Sequence, residues 1–125
     1  MNKGQFYFLL DGSSPQGDDE YPRVDLILTS DTVCLLVETP GVSKESLEVS
    51  IENKHVVIKG SRKEPDFFSK ATHFYKLESF YGIFKRQIPV PADVDVEKAK
   101  VEYHNGVLQI LIPRSKPNVI EIPID

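Results

Sequence analysis

"YHNGVLQILIP" (103–113) decides what kind of fold this chain can adopt. Asn105-Gly106 is a two-residue turn signal, because both residue types tolerate positive φ, and it closes an antiparallel hairpin. "AKVEY" (99–103) supplies the first arm and "VLQILI" (107–112) the second. Pro113 has no N–H to offer a ladder and stops the run. A lone hairpin is not stable in water, so further strands must cover it.

Working upstream, those strands are present. "GIFKRQIPV" (82–90), "HVVIKG" (55–60) and "LEVSI" (47–51) read as strands, with Leu47, Val49 and Ile51 on one face and Glu52-Asn53-Lys54 as a turn. "TVCLLVE" (32–38) is apolar and β-branched between Asp31 and Pro40-Gly41. "VDLILT" (24–29) alternates Val24, Leu26 and Leu28 against Asp25, Ile27 and Thr29. Seven or eight short strands with turn breaks about every 8–12 residues and little helical periodicity specify an all-β, antiparallel sandwich. The one long excursion is 61–81. A stretch of ~20 irregular residues in a compact domain is usually functional or carries an element of its own.

Residues 11–20, "DGSSPQGDDE", have linker composition and set apart a short arm (1–20) from the domain (21–113). After Pro113 a polar spacer leads to a tail (114–125) in which Ile120, Ile122 and Ile124 alternate.

Composition closes several function classes. The 125 residues are 40% apolar and 27% charged, as in an ordinary globular domain. A net charge of −4 argues against a nucleic-acid binder, which needs clustered Lys and Arg. One cysteine supports no disulfide framework and suits a reducing compartment. No apolar run approaches the ~20 residues that span a bilayer. "FYFLL" (6–10) is shorter than the ~7–15 residue core of a secretory signal, and Asp11 follows it at once. The expected location is cytoplasmic.

Phosphate-cradling glycine motifs and the G-x-S-x-G elbow are missing. His55, His73 and His104 match no zinc-ligand spacing. Cys34 lies mid-strand as a small hydrophobe. No catalytic residue, metal or cofactor is expected.

Beside these readings, three stretches resemble the alpha-crystallin domain of the small heat-shock protein family, in its bacterial and plant branch. They are "ETPGVSKESLEVSIENKHVVIKGSRK" (38–63), "ESFYGIFKRQIPVPADVD" (78–95) and "VEYHNGVLQILIPR" (101–114). The matching residues include Pro40-Gly41-Val42, Gly60, Arg62, Glu78, Gly82, Phe84, Arg86, Pro91 and Asn105-Gly106-Val107-Leu108. Val101 stands where the family usually has Ala, and Ser79 where a basic residue is common.

The resemblance implies an immunoglobulin-like sandwich whose long loop carries a strand swapped into a dimer. "THFYK" (72–76) is the candidate strand, pairing with "VDLIL" (24–28) of the other subunit, so Val24, Leu26, His73, Phe74, Tyr75 and Arg86 become the dimer set. A mobile polar lid is the other reading of the loop, and a plain exposed cation the other reading of Arg86. The resemblance also implies that Ile120, Ile122 and Ile124 dock in an apolar groove of a neighbouring subunit. That groove would be walled by Leu47, Val49, Ile51, Ala99, Val101 and Tyr103, with Val101 narrowing it. Alternatively these six line the core, and the tail covers its own domain's edge.

Each docked isoleucine would contribute about 1.5–3 kcal/mol. Ordering the backbone costs about 1–2 kcal/mol per residue. One tail therefore binds weakly, and several hold through effective concentration. The implied function is an ATP-independent chaperone, a dynamic homo-oligomer built from dimers that holds unfolded client proteins. Longer-armed relatives are possible co-subunits. Phe6, Tyr7, Phe8, Leu9 and Leu10 serve either as client contacts or as an assembly anchor. The rival reading is a co-chaperone or adaptor module that binds one folded partner, and an enzyme comes third.

Overall fold

A computed structural model describes residues 20–115 and 121–125; residues 6–10 and Ile120 lie outside the described part. The described residues form seven strands: β1 (Val24–Leu28), β2 (Thr32–Glu38), β3 (Glu48–Glu52), β4 (His55–Arg62), β5 (Gly82–Pro89), β6 (Lys100–His104) and β7 (Val107–Pro113). They make two antiparallel sheets, one of four strands in the order β1-β2-β7-β6 and one of three in the order β3-β4-β5. The expected sandwich is therefore the fold.

Local chemistry explains the turns. Asn105 (φ 51°) and Gly106 (φ 83°) join β6 to β7, and Asn53 (φ 49°) and Lys54 (φ 61°) join β3 to β4. In both turns the two central residues have positive φ, the hairpin geometry that matches strand twist. Thr39, fully buried behind β2, bonds the Gly106 carbonyl through its amide (2.7 Å) and hydroxyl (3.1 Å), so its polar groups are satisfied.

Alternation then builds the core. Val33, Leu35 and Val37 of β2 lie opposite Ile112, Ile110 and Leu108 of β7. These six pack with Val56 and Ile58 of β4 and Phe84 and Ile88 of β5. Each such side chain, fully buried, contributes about 1.5–3 kcal/mol. Gly60 is required where β4 passes β5, because a Cβ there would fall 2.5 Å from Phe84 Cζ and 3.1 Å from Leu47 Cδ2.

The observed strands start one residue later than read at two places. Short 3-10 turns at Lys44–Ser46 and Val96–Lys98 take Leu47 and Ala99 as their C-caps, although both side chains still pack against the core. A third 3-10 turn, Asp66–Lys70, lies in the long excursion between β4 and β5. Residues 72–76 form no strand within the single chain.

Candidate assembly interface

Unequal sheets leave uncovered apolar surface. Leu26 and Leu28 of β1 sit opposite Leu35 and Val33, hence on the inward face. Those β2 partners are completely buried, yet Leu26 and Leu28 remain 41% and 46% exposed. At the other end of the same sheet Val101 of β6 sits opposite buried Ile110, and it is 48% exposed. The four-stranded sheet thus overhangs the three-stranded one on both sides, and among the described residues β1 and β6 are its unpaired edge strands.

On the β6 side, the six predicted groove residues divide in an informative way. Leu47, Val49, Ile51, Ala99 and Tyr103 are half-buried against the core, and Val101 alone stands open. They neither vanish into the core nor stand fully in solvent. Ile51, alone of the six, also lines an open cleft of about 820 Å³ with Val90, Pro91, Ala92, Val94 and Val96. The cleft brings the end of β3 next to the segment that runs from β5 toward β6.

The tail begins at that cleft. The Arg114 amide donates to the Asp31 carbonyl (2.8 Å), the Ser115 amide to Asp93 (2.9 Å), and the Arg114 guanidinium to the Thr29 carbonyl (3.0 Å). Hydroxyls of Thr29 and Thr32 donate to the Asp31 carboxylate and hold its pKa below the ordinary value. Beyond this root Ile122 is 83% exposed and Ile124 fully exposed. In this chain residues 121–125 leave their own domain's edge uncovered.

On the β1 side, Arg86 projects inward from β5. Its Nε lies 2.9 Å from Glu20 Oε2, an ion pair without hydrogen-bond alignment, and its Nη1 donates to the Pro22 carbonyl at 2.6 Å. The resemblance implied a cation for a partner; here it is neutralised within its own chain and pins the segment entering β1. Sequence reasoning missed Glu20, which no local spacing links to Arg86. It also left Leu28 out of the dimer set, although alternation along "VDLIL" places it with Val24 and Leu26. His73, Phe74 and Tyr75 lie on the loop, where Tyr75 is 96% exposed.

Little here suggests covalent chemistry. Burial pushes the Cys34 thiol up, opposite to the shift a nucleophile needs. Among the described residues no three His, Cys, Asp or Glu side chains gather to hold a metal. No helix among them is long and apolar enough to cross a membrane.

Comparison with known proteins agrees with this architecture. A family model described as Hsp20/alpha crystallin family matches residues 26–125. A curated relative, small heat shock protein C2 of Rickettsia felis, is 32% identical over 95 residues, covering 76% of this chain and 61% of its own. The chain spans only 52% and 58% of the length of two further relatives. Among solved structures, heat shock protein 16.0 from Schizosaccharomyces pombe superposes with a TM-score of 0.66 at 27% identity, covering 83% of this chain and 97% of that one. A small heat-shock protein from Xylella fastidiosa, whose crystal structure reveals a distinct high order structure, gives 0.64 at 28% identity, with 82% and 96% covered. The chain belongs to the Hsp20/alpha crystallin family.

Proposed function

We propose that this chain is a chaperone that holds unfolding proteins soluble without nucleotide, working in the cytoplasm as a dynamic oligomer built from dimers. The observation that carries this reading is the double overhang. A domain that leaves inward-facing Leu26, Leu28 and Val101 open at two sheet edges has surface that association can cover.

At the first edge, residues 72–76 of one subunit add to β1 of another and cover Val24, Leu26 and Leu28. Main-chain pairing of this kind gives affinity, and alternate side chains give register. At the second edge, Ile120, Ile122 and Ile124 of a neighbouring tail enter the groove between β3 and β6. The exposure of Ile122 and Ile124 in their own chain supports docking elsewhere. A groove vacated by its tail presents apolar wall to an unfolded chain, and residues 6–10 add a second apolar contact.

The test is light scattering from a heat-labile client warmed with an equimolar amount of this protein and no nucleotide. Suppression to near baseline is expected. Unchanged scattering would remove autonomous holding activity and favour an adaptor.

A further inference from the structure

The excursion between β4 and β5 is organised around an aromatic cluster. The Phe68 ring centre lies 5.6 Å from that of Phe67, 5.5 Å from Phe74 and 5.3 Å from Tyr81, with interplanar angles of 74°, 69° and 80°. All three contacts are edge-to-face, the favoured arrangement for aromatic quadrupoles. Arg62 lies over the Tyr81 ring at 5.1 Å and donates through Nη1 to the Phe80 carbonyl at 3.2 Å. Glycine at residue 41 leaves the Arg62 side chain room at this position. Gly41 has φ +77°, and a Cβ there would sit 3.0 Å from Arg62 Nε.

Position in the chain gives the cluster its meaning. Arg62 is the last residue of β4 and Tyr81 immediately precedes β5, so the excursion is fastened where it leaves and re-enters the sheet. Phe68 fastens its middle. Phe74, held against Phe68, turns toward its own chain. His73 and Tyr75 have ring centres 6.3 Å apart, and Tyr75 is almost wholly exposed.

We propose that Phe68, Tyr81 and Arg62 act as a positioning clasp, which holds Phe74 to its own subunit and orients residues 72–76 so that their backbone edge meets β1 of a second copy. This rests on the dimer reading above and assigns the clasp the task of presenting the loop segment. The clasp acts by pre-organisation: a segment held in its binding geometry loses less conformational freedom on association.

Sedimentation of the full chain across a dilution series tests it. Phe68→Ala should raise the dimer dissociation constant about tenfold, the scale of one lost aromatic pair. Phe68→Tyr, which keeps the ring, should restore it. The melting temperature of the sandwich should be unchanged in both, because Phe68 is outside the buried core. A companion variant carries His73→Ser, Phe74→Gly and Tyr75→Ser together. Should the companion weaken the dimer while Phe68→Ala leaves it at the wild-type value, the clasp is overturned and the dimer reading stands. Should both dimerise as wild type, the dimer reading falls and takes the clasp with it.

Discussion

The two edges of this sandwich differ in what they leave unsatisfied. On the β1 side three consecutive apolar residues, Leu26, Ile27 and Leu28, are exposed along a free strand edge. The neighbouring cation, Arg86, is neutralised by Glu20 and bonded to the Pro22 carbonyl. That edge suits a whole strand, held by main-chain bonds and large side chains. On the β6 side the apolar residues are already half-covered, and Val101 alone stands open. That edge suits a narrow tail bound loosely. On the proposed reading, one sandwich with mismatched sheets offers a strong contact and a weak one, so that an assembly keeps its dimers while exchanging them.

The largest effect should come from the stronger edge. Leu26→Glu with Leu28→Glu places two carboxylates where a partner strand must dock, while both sites are open enough for the monomer to fold. Losing two leucine contacts weakens dimerisation by roughly 100-fold, read as monomers in native mass spectrometry at micromolar concentration. Dimers that persist would erase the distinction between the edges.

Next comes the weaker edge. Ile122→Ala with Ile124→Ala should abolish species larger than dimers, because each loss of about 1.5–3 kcal/mol is repeated at every tail. Val101→Arg should do the same from the groove side, with little change in melting temperature since Val101 is half exposed. Agreement between tail and groove variants in size-exclusion profiles would tie the two surfaces together.

A third substitution separates groove from core. Gly60→Ala drives a methyl into Phe84 and toward Leu47, so it should lower domain stability by about 1–3 kcal/mol in denaturant unfolding. Its effect on assembly should appear only as far as unfolding does.

The smallest effect concerns the tail's root. Asp31 has its pKa lowered by bonds from Thr29 and Thr32. A depressed folded-state pKa adds stability above the unfolded value of about 3.9, and that stability disappears as pH falls through the folded value. Asp31→Asn should therefore melt slightly lower than wild type at pH 7, with the gap closing toward pH 3. A gap that does not narrow between pH 7 and pH 3 would assign the effect to the turn rather than to charge.

Much of the fold was legible in the sequence because local chemistry dictates it. Asn105-Gly106 specifies a hairpin by backbone preference, Glu52-Asn53-Lys54 marks a turn, and the alternation in 24–29 and 47–51 specifies faces. The shared face of Leu47, Val49 and Ile51 was legible for the same reason, whereas their role as a groove wall came only from the resemblance and stays a proposal. The 3-10 turns escaped, since Lys44–Ser46 and Val96–Lys98 carry no helical period. The overhangs escaped as well. They follow from four strands facing three, a property of the assembled sheets that no single strand encodes. The Glu20–Arg86 pair joins the segment before β1 to β5, and the Phe68 cluster joins residues within the folded excursion, both beyond the range of any spacing rule.

The most direct measurement is native mass spectrometry of the unmutated chain over a dilution series. Even-numbered assemblies that give way to dimers, with monomers appearing only at far lower concentration, are the predicted result. Abundant odd-numbered assemblies, or a direct passage from large assembly to monomer, would contradict an architecture with one strong edge and one weak one.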